Sequence, residues 1–454
     1  MIAMRNSTFL RNQATVLVRQ RSILGARGGH CWLRWGALLA TLILFPSLSL
    51  GTATPQLLRV SDALRLAEEN GAITVRSQND LFRTESRRVQ AEQWLSQNPY
   101  FTFLGGYRRE TTSDPVGTGF QYQIHLEQSL EVFGQRSARR SVASAQREVA
   151  QTLLAAARLD SRAQVLSAYV RSVLLAQQVE VSRRRESLAA QLLESARTRR
   201  DLGAASDVEV NLAQIEIGRV SANVTEAELL HQTQVALLKQ ICGLRGEDTV
   251  QLVAIPDRPV SGELVLDPDH LRVLSEQNRP ELQTLQRRKL ELTAERTRLS
   301  REASPLVVAS VDLQRDLPGQ MFFGGTLGLT LPIWNRNQGP LALVSAEERA
   351  LQAEQRLLAL RIDNEVTLSR RKLLLLRDTV VNYQRDILPP AEQNVELLRR
   401  GWQAGKFDLF RVITASRELA EAHIHFLSLQ RDLWDAAIEL ERAVGTPLLT
   451  GGLS

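Results

Sequence analysis

Cysteine is almost missing from this chain of 454 residues, which carries only Cys31 and Cys242. Because Cys31 falls within a leader that is predicted to be removed, one cysteine remains, and a disulfide framework is excluded. The sequence also lacks a P-loop, a glycine-rich dinucleotide-binding motif after a strand, an H-E-x-x-H motif and a paired-cysteine zinc pattern. Motifs for a catalytic nucleophile are absent as well. These absences predict a protein that is not an enzyme and has no cofactor.

Acidic residues are absent from the first 53 positions, where six arginines carry the whole positive excess of the chain. The formal net charge is +6, and removing those arginines leaves 50 basic against 50 acidic residues. A basic surface for nucleic acid is therefore not expected. An apolar run over residues 35–50 follows the arginines and leads to the small residues Gly51 and Ala53. This layout predicts a secretory signal peptide over 1–53, with an uncleaved anchor helix as the alternative.

Beyond this run, no stretch approaches the roughly 20 apolar residues of a membrane-spanning helix, so any membrane-spanning part is expected to consist of strands. Four segments carry a strand signal, at about 99–109, 119–132, 305–316 and 321–332, and are arranged as two hairpins. The alternation is clearest in residues 120–127, where each apolar residue is followed by a polar one. Four strands cannot close a barrel, since the smallest bacterial barrels have about 8, whereas three copies would supply about 12. Two ordinary hairpins lying on a soluble core are the alternative.

The chain reads as a tandem duplication, with the same kinds of segment recurring at an offset of about 200 residues. The predicted repeats are 54–250 and 251–454. Each contains two glycines that stand 40 residues apart, Gly203 with Gly243 and Gly405 with Gly445. A duplicated unit indicates pseudo-symmetry, and therefore an architecture rather than a catalytic centre.

Helix-forming residues dominate from Ser137 to Arg200 and again from Pro340 to Gly401. A helix of about 60 residues would be about 90 Å long. Each long helix is expected to turn at a glycine into a shorter returning helix, so that helical hairpins cover about 137–243 and 340–445. The two adjacent prolines at 389 and 390 are expected to break or kink the second long helix.

The order of these segments resembles the TolC-type outer-membrane efflux family over nearly the whole mature chain. The resemblance is carried by two turns, from Gly203 to Asp207 and from Gly405 to Asp408, and by the strand-to-helix junctions at 130–136 and 331–339. The second junction, Pro332-Ile-Trp-Asn-Arg-Asn-Gln-Gly339, is most similar to the branch that exports heavy-metal cations.

The resemblance implies a mainly α fold with transmembrane β-strands. Three copies would form a 12-stranded barrel in outer-membrane lipid that continues into a periplasmic barrel of 12 helices. Such a homotrimer is a passive exit duct that receives substrate from an inner-membrane pump through a periplasmic adaptor protein. Ducts of the same fold for drug efflux or type I secretion are alternatives to metal export, and a secreted coiled-coil scaffold is an alternative of a different class.

Members of this family narrow their periplasmic entrance near the turn of the second hairpin. Some place acidic residues six and nine positions after the turn glycine, where this chain has Arg411 and Thr414. The position six after the first turn glycine is Glu209, so we expect Glu209 and Arg411 to pair across neighbouring hairpins, or else to be solvated. Trp402 matches an aromatic gate position of the family, with helix packing as the alternative.

Histidines offer the remaining metal ligands in the sequence. His423 and His425 are two apart on a predicted helix and should point to nearly opposite sides. His125 and Glu127 share the polar face of a predicted strand, where the polarity of a water-filled lumen explains both more simply. No metal site is therefore predicted.

Overall fold

The computed structural model describes residues 56–109, 119–256, 259, 267–316 and 320–449. All of these belong to one compact unit, residues 53–454. The predicted signal peptide over 1–53 lies outside the described residues.

Helices make up most of the described chain and recur in the same order in both halves. They are α1 (Val60–Asn70), α2 (Ala72–Glu92), α3 (Gln135–Asp201), α4 (Asp207–Ile241), α5 (Pro268–Asn278), α6 (Pro280–Glu302), α7 (Gln338–Asp386), α8 (Leu388–Gln403) and α9 (Leu409–Val444). None of the described helices combines the length and the apolar character needed to cross a membrane. The helix pairs α1–α2 and α5–α6 occupy equivalent places before the two strand pairs, which reproduces the duplication seen in the sequence.

The strands of the described residues form two separate sheets. They are β1 (Gln56–Leu58), β2 (Tyr100–Arg108), β3 (Gly119–Leu130), β4 (Val250–Leu252), β5 (Leu306–Arg315) and β6 (Met321–Thr330). The short strands β1 and β4 pair in parallel, whereas the long strands form an antiparallel sheet in the order β2-β3-β5-β6. Strand β5 pairs with β3 because the two predicted hairpins lie side by side.

The register of the long sheet separates its side chains by polarity. His125 lies opposite Thr102 on β2 and opposite Asp312 on β5, and Asp312 lies opposite Gly324 on β6. Because directly opposed residues point to the same face, the alternation of each strand adds up across the sheet. The face opposite to His125 is mainly apolar, and Gln128 and Arg315 are its exceptions. Its apolar side chains are Phe101, Phe103, Tyr107, Phe120, Tyr122, Ile124, Leu126, Val307, Ala309, Val311, Leu313, Met321, Phe323, Leu327 and Leu329.

The long helices of the two halves differ in continuity. Helix α3 runs without interruption for 67 residues, or about 100 Å. In the second half, α7 ends at Asp386 and α8 begins at Leu388, so the predicted break at the paired prolines is confirmed. Both prolines fall in the first turn of α8, where backbone N–H groups have no intrahelical acceptor and proline is tolerated.

The largest core cluster of the described residues combines both halves, and is built mainly from α1, α3, α5, α7 and α9. At its centre Tyr169 is fully buried, and its hydroxyl oxygen lies 2.9 Å from the carbonyl oxygens of Leu58 and Val253. Cys242 is also buried in this cluster, and burial raises the pKa of its thiol to about 11. The thiol is therefore neutral and packed rather than reactive.

The last helix of each half is followed by a glycine that lies close to the end of the first helix of the same repeat. Gly243, after α4, and Gly445, at the end of α9, have φ of 70° and 81°. A Cβ on Gly243 would lie 2.7 Å from the Cβ of Asn70, and a Cβ on Gly445 would lie 3.0 Å from the carbonyl of Asn278. Because Asn70 ends α1 and Asn278 ends α5, the two repeats close in the same way.

Candidate functional site

The turns between the long and the returning helices are alike in the two halves. Gly203 and Gly405 have φ of 72° and 73°, the left-handed conformation that favours glycine. In both turns the amide of the following residue donates to the carbonyl five residues earlier, from Ala204 to Arg199 and from Lys406 to Gly401. This pattern satisfies the last carbonyl groups of the long helix and reverses the chain within a few residues.

The returning helices are capped by residues three after each glycine. The Asp408 carboxylate accepts a hydrogen bond from the Arg411 amide at 2.9 Å, and the Ser206 hydroxyl accepts one from the Glu209 amide at 3.3 Å. Ser206 is therefore the structural equivalent of Asp408, whereas Asp207, the turn residue proposed from the sequence, is the first residue of α4. A carboxylate there still interacts favourably with the positive end of the helix.

The candidate gating residues Glu209 and Arg411 lie in the first turns of the two returning helices, and Thr414 lies in the second turn of α9. The Arg411 side chain is exposed, with its Nε 3.8 Å from Asp408 Oδ2 and its guanidinium 5.8 Å from the centre of the Phe407 ring. Glu209 and Thr414 are half-buried. Within one chain the described residues do not bring Glu209 and Arg411 into an ion pair. Pairing between neighbouring copies stays a prediction.

Trp402 is only 1% exposed and lies in a cluster that joins the two hairpins near their turns. The guanidinium of Arg199, on α3, lies 5.1 Å from the centre of the indole ring and donates to the carbonyl oxygen of Trp402. The indole also shares its cluster with apolar residues of α3, α4 and α9, namely Leu192, Leu193, Ala196, Ala213, Leu409, Val412 and Ile413. In one chain, Trp402 therefore occupies a packing position between hairpins.

A buried ionic contact that the sequence did not indicate also links the two hairpins. Glu216 on α4 lies 2.5 Å from Arg185 on α3 and 3.8 Å from Arg417 on α9. The side chains of Arg185 and Glu216 are 11% and 7% exposed, so their mutual attraction has to compensate for the water that each charge loses on burial. Arg185 and Arg417 are both far from Glu216 along the chain, so no local sequence pattern could have revealed these contacts.

The polar face of the long sheet carries its own cluster of titratable side chains. His125 Nδ1 lies 2.8 Å from Asp312 Oδ1, and His125 Nε2 lies 3.4 Å from Glu127 Oε2. The sequence places only Glu127 beside His125, because Asp312 is 187 residues away and meets His125 only through the register of β3 on β5.

The two histidines of α9 have different neighbours. His423 Nε2 lies 3.3 Å from Glu392 Oε1 on α8, whereas the ring of His425 contacts Tyr383 on α7 edge-on, with 5.4 Å between ring centres. Across the described residues there is no group of three or more histidine, cysteine or acidic side chains that could hold a metal ion.

Known proteins of one family are similar to this chain in sequence. The profile of a family described as "Outer membrane efflux protein" matches residues 92–244. The cobalt-zinc-cadmium resistance protein CzcC of Cupriavidus metallidurans is 30% identical over 396 residues, covering 86% of this chain and 90% of CzcC.

Solved structures share the fold at lower sequence identity. CusC superposes with a TM-score of 0.71 at 14% identity, over 86% of this chain and 92% of CusC. The outer-membrane channel OprN has a TM-score of 0.70 at 14% identity, over 86% and 90% of the two chains. The outer membrane protein VceC of Vibrio cholerae has a TM-score of 0.69 at 15% identity, over 85% and 96%.

Proposed function

This chain belongs to the outer membrane efflux protein family, and from that membership we propose that it is the exit duct of a tripartite pump for heavy-metal cations. It is an outer-membrane efflux channel with a periplasmic extension. The proposed partners are a periplasmic adaptor protein and an inner-membrane pump, which supplies the energy. The duct needs no catalysis, because it only provides a path across the outer membrane.

The substrate class rests on one observation, the similarity to a cobalt-zinc-cadmium resistance protein over most of both chains. The junction at residues 332–339, which resembles the metal-exporting branch, supports the same class. Drug efflux and protein secretion remain competing uses of the same duct.

The exposed apolar face of the long sheet favours a membrane location over the scaffold alternative. In a soluble scaffold these side chains would be covered by the protein's own helices, yet Phe323 is 76% exposed and Leu327 is 74% exposed. Such a large apolar surface needs an apolar partner, and the acyl chains of a bilayer supply one. The opposite, polar face would then line a water-filled lumen.

Exposed apolar stripes on two helices support assembly with further copies. On α4 the exposed apolar residues recur mostly at intervals of seven, and on α7 they also lie within one stripe. They are Val208, Ile215, Ala222, Leu229, Leu230 and Leu237 on α4, and Leu343, Leu357, Leu360, Leu368 and Leu375 on α7. Such stripes pack against other helices. We therefore propose a homotrimer in which repeats 54–250 and 251–454 of three copies alternate around a 12-stranded barrel and a 12-helix tunnel.

The tips of the helical hairpins are the proposed periplasmic gate of this assembly. Arg411 is exposed there and Glu209 is half-buried at the equivalent position, so that neighbouring copies can bring the two charges together. Thr414 lies one turn further along α9. Trp402 would support this gate from within each chain, because its indole packs between the two hairpins and holds them together.

Growth of a deletion strain on metals tests the proposed substrate. We expect the strain to become sensitive to cobalt, zinc or cadmium and to regain tolerance when the gene is restored on a plasmid. Sensitivity to a large antibiotic that the intact outer membrane excludes serves as the control for general envelope damage. Unchanged metal tolerance with new sensitivity to dyes and drugs would favour the drug-efflux alternative, and loss of a secreted protein would favour secretion.

A further inference from the structure

Charged side chains are scarce in the long sheet and are concentrated at one place on its polar face. Strands β2, β3, β5 and β6 together contain five residues of the acidic, basic or histidine type: Arg108, His125, Glu127, Asp312 and Arg315. The two arginines are the last residues of β2 and β5. The remaining three are neighbours inside the sheet.

These three side chains form one connected group across β3 and β5. The imidazole of His125 lies between the two carboxylates, 2.8 Å from Asp312 and 3.4 Å from Glu127. Their side chains remain accessible from the polar face, with exposed fractions of 26% for His125, 18% for Asp312 and 40% for Glu127. Ions that pass along this face therefore come close enough to interact with these charges, although the three side chains are partly buried.

Neighbouring strands contribute no charge that could offset the two carboxylates. On β2, Thr102 lies opposite His125 and the phenol of Tyr100 lies opposite Glu127. On β6, Gly324 lies opposite Asp312, and the whole of β6 is free of acidic, basic and histidine residues. His125 is thus the group that decides the net charge of the cluster.

We propose that His125, Glu127 and Asp312 form a charge-selective station that admits hydrated cations in preference to anions and weakens when His125 is protonated. The proposal rests on the proposed function, because a trimeric duct places three copies of the cluster at one level around the lumen. Rings of acidic side chains select for cations in this way. Protonation of His125 changes the charge of each cluster from −2 to −1, so the preference for cations should rise with pH.

Ion selectivity of the purified trimer in planar lipid bilayers tests the station. Reversal potentials in a KCl gradient measure the potassium-to-chloride permeability ratio. At about pH 8 we expect Asp312→Asn and Glu127→Gln each to lower the permeability ratio about twofold or more. Removing a unit charge about 10 Å from an ion weakens their attraction, even in water, by an energy that corresponds to about a factor of two. Asp312→Glu keeps the charge and is the matched control, which should retain the ratio.

The role of His125 has its own readout. In the wild-type channel the permeability ratio should rise between about pH 5 and pH 9, and His125→Gln should remove most of that rise. A ratio that responds equally to pH in the His125→Gln channel would overturn the part assigned to histidine.

The outcomes separate this inference from the proposed function. If the purified wild-type protein forms no conducting trimer, the duct itself is refuted. If it conducts but Glu127→Gln and Asp312→Asn leave the ratio unchanged, the station is refuted and the duct stands. Each variant is checked for a heat-sensitive trimer on a gel, and should Asp312→Asn not assemble, Glu127→Gln decides because its side chain is the more exposed.

Discussion

At the scale of single residues, local rules located the hairpin turns but not the contacts of their side chains. Gly203 and Gly405 are identifiable in the sequence because a helix commonly ends on a left-handed residue. The residue that caps the returning helix is Asp408 in the second repeat, whereas in the first repeat it is Ser206 rather than Asp207. For Trp402 the sequence left a gate position and helix packing as alternatives, because its burial depends on how α8 packs against α3 and α4.

Exchanging charges at the tips tests the gate at this scale. If Glu209 and Arg411 of neighbouring copies attract each other, Arg411→Glu should replace attraction by repulsion and raise the open probability of the reconstituted channel. An exposed ion pair contributes little free energy, so we expect the open probability to change by up to about fivefold for each pair. Single-channel recording measures it.

The combined variant Glu209→Arg with Arg411→Glu restores opposite charges and should return the open probability toward that of the wild type. Lys406→Glu is the matched control, since Lys406 lies in the same turn without being part of the proposed pair. Open probabilities that are equal in the wild type and in Arg411→Glu would show that this charge has no gating role.

At the scale of elements, periodicity was the most informative property of the sequence. Alternation at a period of two predicted the strands of the long sheet, and the proline pair predicted the break between α7 and α8. What alternation does not specify is the register between strands. Pairing of β3 with β5 is needed to collect the apolar side chains on one face and to bring Asp312 beside His125.

Neighbouring residues on β6 allow a matched test of the two faces. Thr326 lies on the same face as His125, whereas Leu327 lies on the apolar face. We expect Leu327→Arg to reduce assembly in the outer membrane, because an arginine facing the middle of the bilayer costs about 2–4 kcal/mol. Thr326→Arg should assemble, since its side chain would reach a water-filled lumen.

The amount of heat-sensitive trimer in outer-membrane fractions measures both variants. Equal assembly of Leu327→Arg and Thr326→Arg would contradict the assignment of the apolar face to lipid.

At the scale of the whole molecule, the described chain leaves apolar surface exposed in two different settings. One is the apolar face of the long sheet, and the other comprises the stripes on α4 and α7. A chain that folded as an independent soluble unit would bury much of this surface. The proposed lipid contact and the proposed contacts between copies of the chain would cover both settings.

Replacing Leu229 by glutamate tests the stripe on α4. Leu229 is 63% exposed in one chain, and burying a leucine side chain contributes about 1.5–3 kcal/mol at each interface. With a charge there instead, we expect the heat-sensitive trimer to be lost or weakened on a gel. Leu202→Glu, at an exposed leucine in the turn before Gly203, is the matched control and should remain trimeric. A trimer of Leu229→Glu as stable as the wild type would remove α4 from the interface.

The amino-acid sequence by itself determined the strands, the long helices and the break in the second of them, because each depends on residues a few positions apart. Only the tertiary structure decided which distant residues meet. His125 contacts Asp312 through strand register, and Glu216 lies between Arg185 and Arg417 through helix packing. Such contacts join residues that are separated by tens to hundreds of positions, so their geometry arises from packing and leaves no periodic trace along the chain.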